Sequence, residues 1–412
     1  MYVTVALDAA GIALVFPVLP GLLRTMTGRH EVSAAFGAML ALYAFMQFVF
    51  APVIGVLSDR FGRRPVLLVS LAGSVLDYLI MAFTPYLWLL FVGRAMAGLT
   101  GAHAAVATAC VTDVTPEAGR GRRFGLLQAF FGAGFVAGPL IGGVLGDISP
   151  RDPFLAAAVL NGANLLLALA VLPETRQAPA HQAPPDHAPP PPAPPDRALP
   201  RRPWAGRIDM RAMNPLAPLR WALDFPALTP LLVVFLLISL AGQTYTTVWV
   251  LFTEDRFGWT GAEVGASLSL FGALVVLAQA LAVGPVMRRL GERRTLILGL
   301  ICEAATMLVL AFAGAGWVVF AVIPALAFGG IGLPALRALQ ANAVGQDRQG
   351  RLQGIVASCA GLATILGPLV FSWIYALSRP RWTGLVWVIA VAVHAIALAI
   401  VRAVPGDAGR TR

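Results

Sequence analysis

Five ionisable residues lie inside long apolar stretches of this chain: Asp8, Asp77, Arg94, Glu303 and Arg337. Charge is expensive in an apolar phase unless it meets water or a partner, so each of these positions needs a reason. A carboxylate in such a setting holds a proton or a cation but hardly both, because desolvation favours the neutral acid and a nearby cation favours the anion. Ser70, Gly73 and Thr84 fall on the same helical face as Asp77, and Gly299 and Thr306 share the face of Glu303. With Ser239, Gln243 and Thr246, these stripes are expected to line an aqueous cavity. Gln47 and Gln279 add hydrogen-bonding groups, and Asn161 and Asn164 share a face of their run. Arg94 reads equally well as the partner in a static ion pair with a nearby carboxylate. His103 titrates near neutral pH, but nine residues from Arg94 turn it to the opposite side of a helix, so it reads as a packed histidine. His394 reads the same way. Trp249 and Phe252 could stack on a flat ligand, while Phe252 and Trp259 read more readily as anchors at a membrane interface.

The elements that carry these residues follow from composition. Apolar residues make up 58% of the 412, charged residues 12%, and the mean hydropathy is +0.78; soluble globular chains lie well below that. The net charge of +10 comes without a single lysine, and the arginines do not gather with aromatics on a soluble domain, which argues against nucleic acid as a partner. Cys110, Cys302 and Cys359 are far apart and sit in or beside apolar runs, so no disulfide framework or zinc spacing is present. No nucleophile and base pair or metal-ligand cluster appears, so no enzyme is expected.

Apolar runs recur at 3–23, 34–57, 65–84, 87–111, 124–146, 154–172, 228–251, 262–286, 295–313, 317–340, 352–376 and 382–401. Each is long enough to cross ~30 Å of hydrocarbon, and each must be a helix to satisfy its backbone there. The run after Met1 reads as a true first span rather than a cleavable signal. With the N-terminus cytoplasmic, 22 arginines fall in inside loops and the tail, 6 outside and 2 within spans. Both termini are therefore expected on the cytoplasmic side.

The chain divides into residues 1–172, 173–227 and 228–412. The middle segment contains a Pro/Ala tract at 178–203 with His181 and His187, expected to be a solvated linker, and residues 207–220 could lie along the membrane surface. The flanking parts are repeats: Gly62 and Gly291, each with a following arginine pair, are 229 residues apart, and so are Gly138-Pro139 and Gly367-Pro368. Six spans in each repeat give both the same orientation, with a cavity between them. The expected fold is an all-α membrane protein, with twelve transmembrane helices in two pseudo-symmetric six-helix bundles.

Three stretches, Gly55-Val-Leu-Ser-Asp-Arg-Phe-Gly-Arg-Arg64, Gly134-Ala-Gly-Phe-Val-Ala-Gly-Pro-Leu-Ile-Gly-Gly143 and Leu7 to Pro20, resemble the Major Facilitator Superfamily. Leu40 to Gln47, Leu76-Asp-Tyr78, Gly93 to Gly101, Val248 to Trp259 and Gly329 to Ala335 narrow the resemblance to its bacterial tetracycline/proton antiporters. The resemblance implies export of a tetracycline chelated to a divalent cation, usually magnesium, in exchange for protons across the inner membrane. No metal would be held directly by the protein, and no permanent cofactor or obligate protein partner is implied. Positions matching Asp8 and Asp77 are needed for transport in that family, and Glu303 stands where Asp is common. Val275 departs from the pattern, because the family has a histidine there; His103 is the one candidate to stand in.

The loop at 55–64 reads as more than a turn. By resemblance, Asp59 is a gate residue held against the N-terminal dipole of the eleventh helix, and Arg63 can pair with Asp113. Gly138 and Pro139 let a neighbouring backbone approach and let the fifth helix bend. Two other readings stay open: export of a different drug or metabolite, and a sensor or scaffold that uses the Pro-rich tract.

Overall fold

The structure is a computed structural model that describes residues 1–101, 103–175, 228–345 and 348–403. The Pro/Ala tract with its histidines and the surface segment at 207–220 lie outside the described residues. Among the described residues all regular structure is helical. In chain order the spans are the pair Tyr2–Val15 and Leu19–Thr27, then Ser33–Phe61, Arg63–Phe83, Leu87–Asp113, Gly119–Ile148 and Asp152–Val171, followed by Thr229–Phe257, Gly261–Leu281, Val283–Phe312, Gly316–Asn342, Gln349–Ser378 and Leu385–Ala403. The helices of the first pair meet at 43°, where Pro17 removes a backbone donor. Large apolar side chains such as Val69, Phe83, Val159 and Leu166 point outward, as expected of a multi-pass membrane protein whose surface meets hydrocarbon.

The internal repeat extends to backbone detail. Gly62 and Gly291 both adopt positive φ, at 102° and 75°, which glycine accommodates without strain. The fourth span breaks between Thr100 and His103, and the tenth between Gly329 and Gly332; Gly101 and Gly330, at the two breaks, are again 229 residues apart. Loop 2–3 is fastened by a residue just beyond the sixth span. The Glu174 carboxylate accepts from the backbone N–H of Arg63 at 2.9 Å and of Arg64 at 3.1 Å, satisfying open donors at the start of the third helix.

Among the described residues the two largest seams between the halves are the fifth span against the eighth and the second against the eleventh. The repeat relates them, since five maps to eleven and eight to two. Close approach in the first seam depends on glycine. A Cβ on Gly143 would overlap the Gly261 carbonyl, and one on Gly265 the Pro139 carbonyl. On another face of the fifth span, Gly134, Gly138 and Gly142 abut the carbonyls of Ala6, Ala10 and Leu14 in the first. Spacing by four thus lets one helix pack backbone to backbone.

Candidate functional site

In the N-terminal half the third span turns Asp77 into the protein, where it is fully buried and ion-paired with Arg94 of the fourth span. Gly93 makes room for the carboxylate, since a Cβ there would lie 2.7 Å from Oδ1. The Arg94 guanidinium also sits 5.5 Å from the centre of the Tyr43 ring, a cation–π contact. Asp8 is buried on the first span, and its charge acts on Tyr43 and Tyr78. Ser74, Asp77, Tyr78, Arg94 and Tyr43 line a small cavity of about 50 Å³. The Asp8 and Asp77 carboxylates are groups that can hold a proton or a cation. The stripe containing Asp77 therefore faces the fourth span across a tight interface, and the wide aqueous cavity expected there lies elsewhere.

In the C-terminal half, Glu303 of the ninth span approaches His394 of the twelfth, with Oε2 2.9 Å from Nε2. The other ring nitrogen, Nδ1, is 2.9 Å from the Ala390 carbonyl. Reading His394 as inert packing is thus corrected: the partner is 91 residues away in the chain, where helical periodicity gives no sign of it. Gly299 and Gly329 draw the ninth and tenth spans together, and Gly329 leaves space for the Glu303 side chain.

The large cavity, about 410 Å³, lies between the halves. Phe131 and Phe135 wall it from the fifth span, Tyr245 and Trp249 from the seventh, and Phe271 from the eighth. Gln128, Thr246 and Gln279 supply its polar groups, while Val275 contributes apolar surface. Phe16, at the break in the first span, lines both cavities and so adjoins the Asp77 cluster. Gln47 turns away from the large cavity and donates to the Gly101 carbonyl at 2.6 Å, satisfying an acceptor freed by the helix break. Gln243 packs its stem on Gly367 of the eleventh span. Phe252 and Trp259 are buried rather than at an interface: Phe252 meets Trp387 edge-on at 5.5 Å, and Trp259 packs on Phe320 at 5.1 Å. The His103 side chain lies outside the described residues, and Arg337 sits 5.3 Å from the Phe235 ring.

The sequence profile of the Major Facilitator Superfamily matches residues 1–254 and 231–411. The class C tetracycline resistance protein of Escherichia coli is 46% identical over 399 residues, 97% of this chain and 94% of the relative. The class G protein of Vibrio anguillarum is 44% identical, over 97% and 95%. The chain belongs to the tetracycline resistance group of the Major Facilitator Superfamily. Among solved structures, the nucleoside transporter NupG superposes with a TM-score of 0.72 at 12% identity, covering 98% of this chain and 97% of that one. The human organic anion transporter MFSD10 gives 0.66 at 21%, covering 97% of each.

For a superfamily member the two ends of the cavity matter as much as its walls. At the end where Met1 and Ala403 lie, Arg63 joins Asp113 at 3.0 Å and Asp59 at 2.5 Å. All three belong to the N-terminal half, and among the described residues Asp59 pairs with Arg63. At the opposite, distal end the halves are tied together. Arg24 pairs with Glu254 and, at 3.4 Å, with Asp255. Arg379 grips Asp255 through two bonds of 2.6 and 2.7 Å and reaches Glu31 at 3.4 Å. Asp255 keeps the Arg379 guanidinium above its ordinary pKa, securely charged. Tyr375 donates to Asp255 at 2.9 Å. Asp147, at the end of the fifth span, accepts from the backbone N–H of Gly261 at 2.6 Å and of Ala262 at 2.9 Å. A carboxylate on a helix N-terminus is favourable, and this one crosses between halves. The sequence reading passed over these residues because loop charges look alike until their partners are known.

Proposed function

We propose that the chain exports tetracycline, carried as its chelate with magnesium or a similar divalent cation, in exchange for protons across the bacterial inner membrane. The observation that carries this reading is the aromatic-walled cavity of about 410 Å³ between the halves, flanked by the acidic cluster of Asp8, Asp77 and Arg94. A flat polycyclic ligand suits rings such as Tyr245 and Phe271, stacked at 6.1 Å, in a cavity of drug-binding size. The relatives named for tetracycline resistance support the choice of cargo. With both termini cytoplasmic, the tied distal end is the outer one, so the cavity is offered to the cytoplasm. The carboxylates of Asp8, Asp77 and Glu303 attract the cationic chelate from that side. Once the outer side opens, protonation of Asp8, Asp77 or Glu303 removes that attraction, and the neutralised protein returns empty. The ion is cargo rather than a resident cofactor, since its ligands would come from the drug.

The test is tetracycline uptake into inverted vesicles, interior acid, with magnesium present. Accumulation that collapses when the proton gradient is dissipated, and that weakens when the metal is chelated, is expected. Uptake indifferent to the gradient would overturn the reading.

A further inference from the structure

The Glu303–His394 pair presents a constraint that the cavity walls do not. The Ala390 carbonyl can only accept, so the ring nitrogen 2.9 Å from it, Nδ1, carries the hydrogen. The basic nitrogen Nε2 then faces Oε2 of Glu303 at 2.9 Å. Two lone pairs do not approach so closely without a proton between them. The pair therefore holds a shared proton, either as imidazolium and carboxylate or as neutral imidazole and carboxylic acid.

Burial separates the roles of the two partners. The His394 side chain is 1% exposed and that of Glu303 is 20% exposed, so the carboxyl is the accessible member of the pair and the ring is not. Tyr245 lines the drug-sized cavity and feels the Glu303 charge, and its buried hydroxyl has no hydrogen-bond partner among the described residues. Other titratable groups nearby are few. Cys302 adjoins Glu303 on the ninth span. The tenth span carries only Arg337, placed over Phe235, and the eleventh, between Arg351 and Tyr375, only Cys359.

We infer that Glu303 and His394 form a two-residue proton site in the C-terminal half, with His394 as the buried acceptor and Glu303 as the gate through which the proton passes. Its place in transport rests on the export reading above. Loss of the shared proton to water leaves a neutral ring facing a carboxylate. The hydrogen bond is then lost, and the freed carboxylate turns toward the Tyr245 side of the cavity, where it can meet a cation. Rebinding a proton reverses the step, so the proton shared with His394 and the cation compete for the Glu303 carboxylate.

The test begins without drug: infrared difference spectra of the purified, reconstituted protein across a pH titration, comparing the parent, His394→Gln and Glu303→Gln. In the parent, the carboxyl band that Glu303→Gln removes is expected to titrate together with an imidazole band. In His394→Gln the carboxyl titration moves to a different pH. Gln fills similar space and can hydrogen-bond Glu303 but cannot titrate, so a merely structural role predicts parental behaviour. In vesicles, His394→Gln is expected to flatten the pH profile of uptake and lower gradient-driven accumulation about tenfold, within the range of coupling between two ligands. An unchanged carboxyl titration in His394→Gln overturns the inference. If that variant fails to fold, an imidazole titration unmoved in Glu303→Gln does the same. Coupled titration in a parent that moves no tetracycline upholds the proton site and rejects the export reading; drug transport with uncoupled titration does the reverse.

Discussion

At the scale of single residues, the decisive feature is the buried ion pair of Asp77 with Arg94. Removing one partner of such a pair strands the other charge, at about 3–5 kcal/mol. Asp77→Asn leaves Arg94 uncompensated, so reduced abundance and lost transport are expected together, and abundance alone would not reveal a role in coupling. The double variant Asp77→Asn with Arg94→Gln removes both charges and is expected to restore abundance while proton-driven uptake stays near background. Immunoblots and vesicle uptake, measured side by side, separate the two; recovery of both would make the pair structural. Asp8, Asp77 and Glu303 were legible in the sequence because a charge within an apolar run stands out whatever its partner. His394 was not, since one histidine on an apolar helix looks the same packed or paired, and its partner lies on another span.

At the scale of elements, twelve apolar runs were readable because hydrocarbon thickness sets a length that few other constraints imitate. The breaks were not, because an averaged apolar window passes over a single Pro17 or Gly101. Their signature was nonetheless present, in the shared 229-residue offset of Gly101 and Gly330. The seam between the fifth and eighth spans makes an independent prediction. A Cβ on Gly143 overlaps the Gly261 carbonyl, whereas one on Gly162 meets nothing within 4 Å. Gly143→Ala is therefore expected to push the distal ends of the halves apart, and Gly162→Ala to leave them in place. Spin labels on the exposed Thr25 and Arg381 report the separation across that end. An unchanged distance distribution in Gly143→Ala would mean that the seam yields elsewhere.

At the scale of the whole molecule, closure of one end is a charge arrangement spanning both halves. Asp147 on the N-terminus of the eighth helix does at the distal end what the sequence led us to expect of Asp59 on the eleventh at the other. The structure holds a state in which the distal end uses that kind of contact. Asp255 is the hub of that closure, bonded to Arg379, Arg24 and Tyr375. Asp255→Asn removes the charge that Arg379 grips while keeping the volume. Losing about 1.4 kcal/mol of preference for the closed arrangement shifts the closed-to-open ratio about tenfold, so a longer component is expected between labels at Thr25 and Arg381. Asp59→Asn is expected to leave that distance alone in the state seen here, because Asp59 lies at the other end, paired with Arg63. It should instead slow proton-driven uptake at normal abundance, since the end it guards must close once per cycle. If Asp59→Asn lengthens the distal distance as Asp255→Asn does, the two ends are not separate gates.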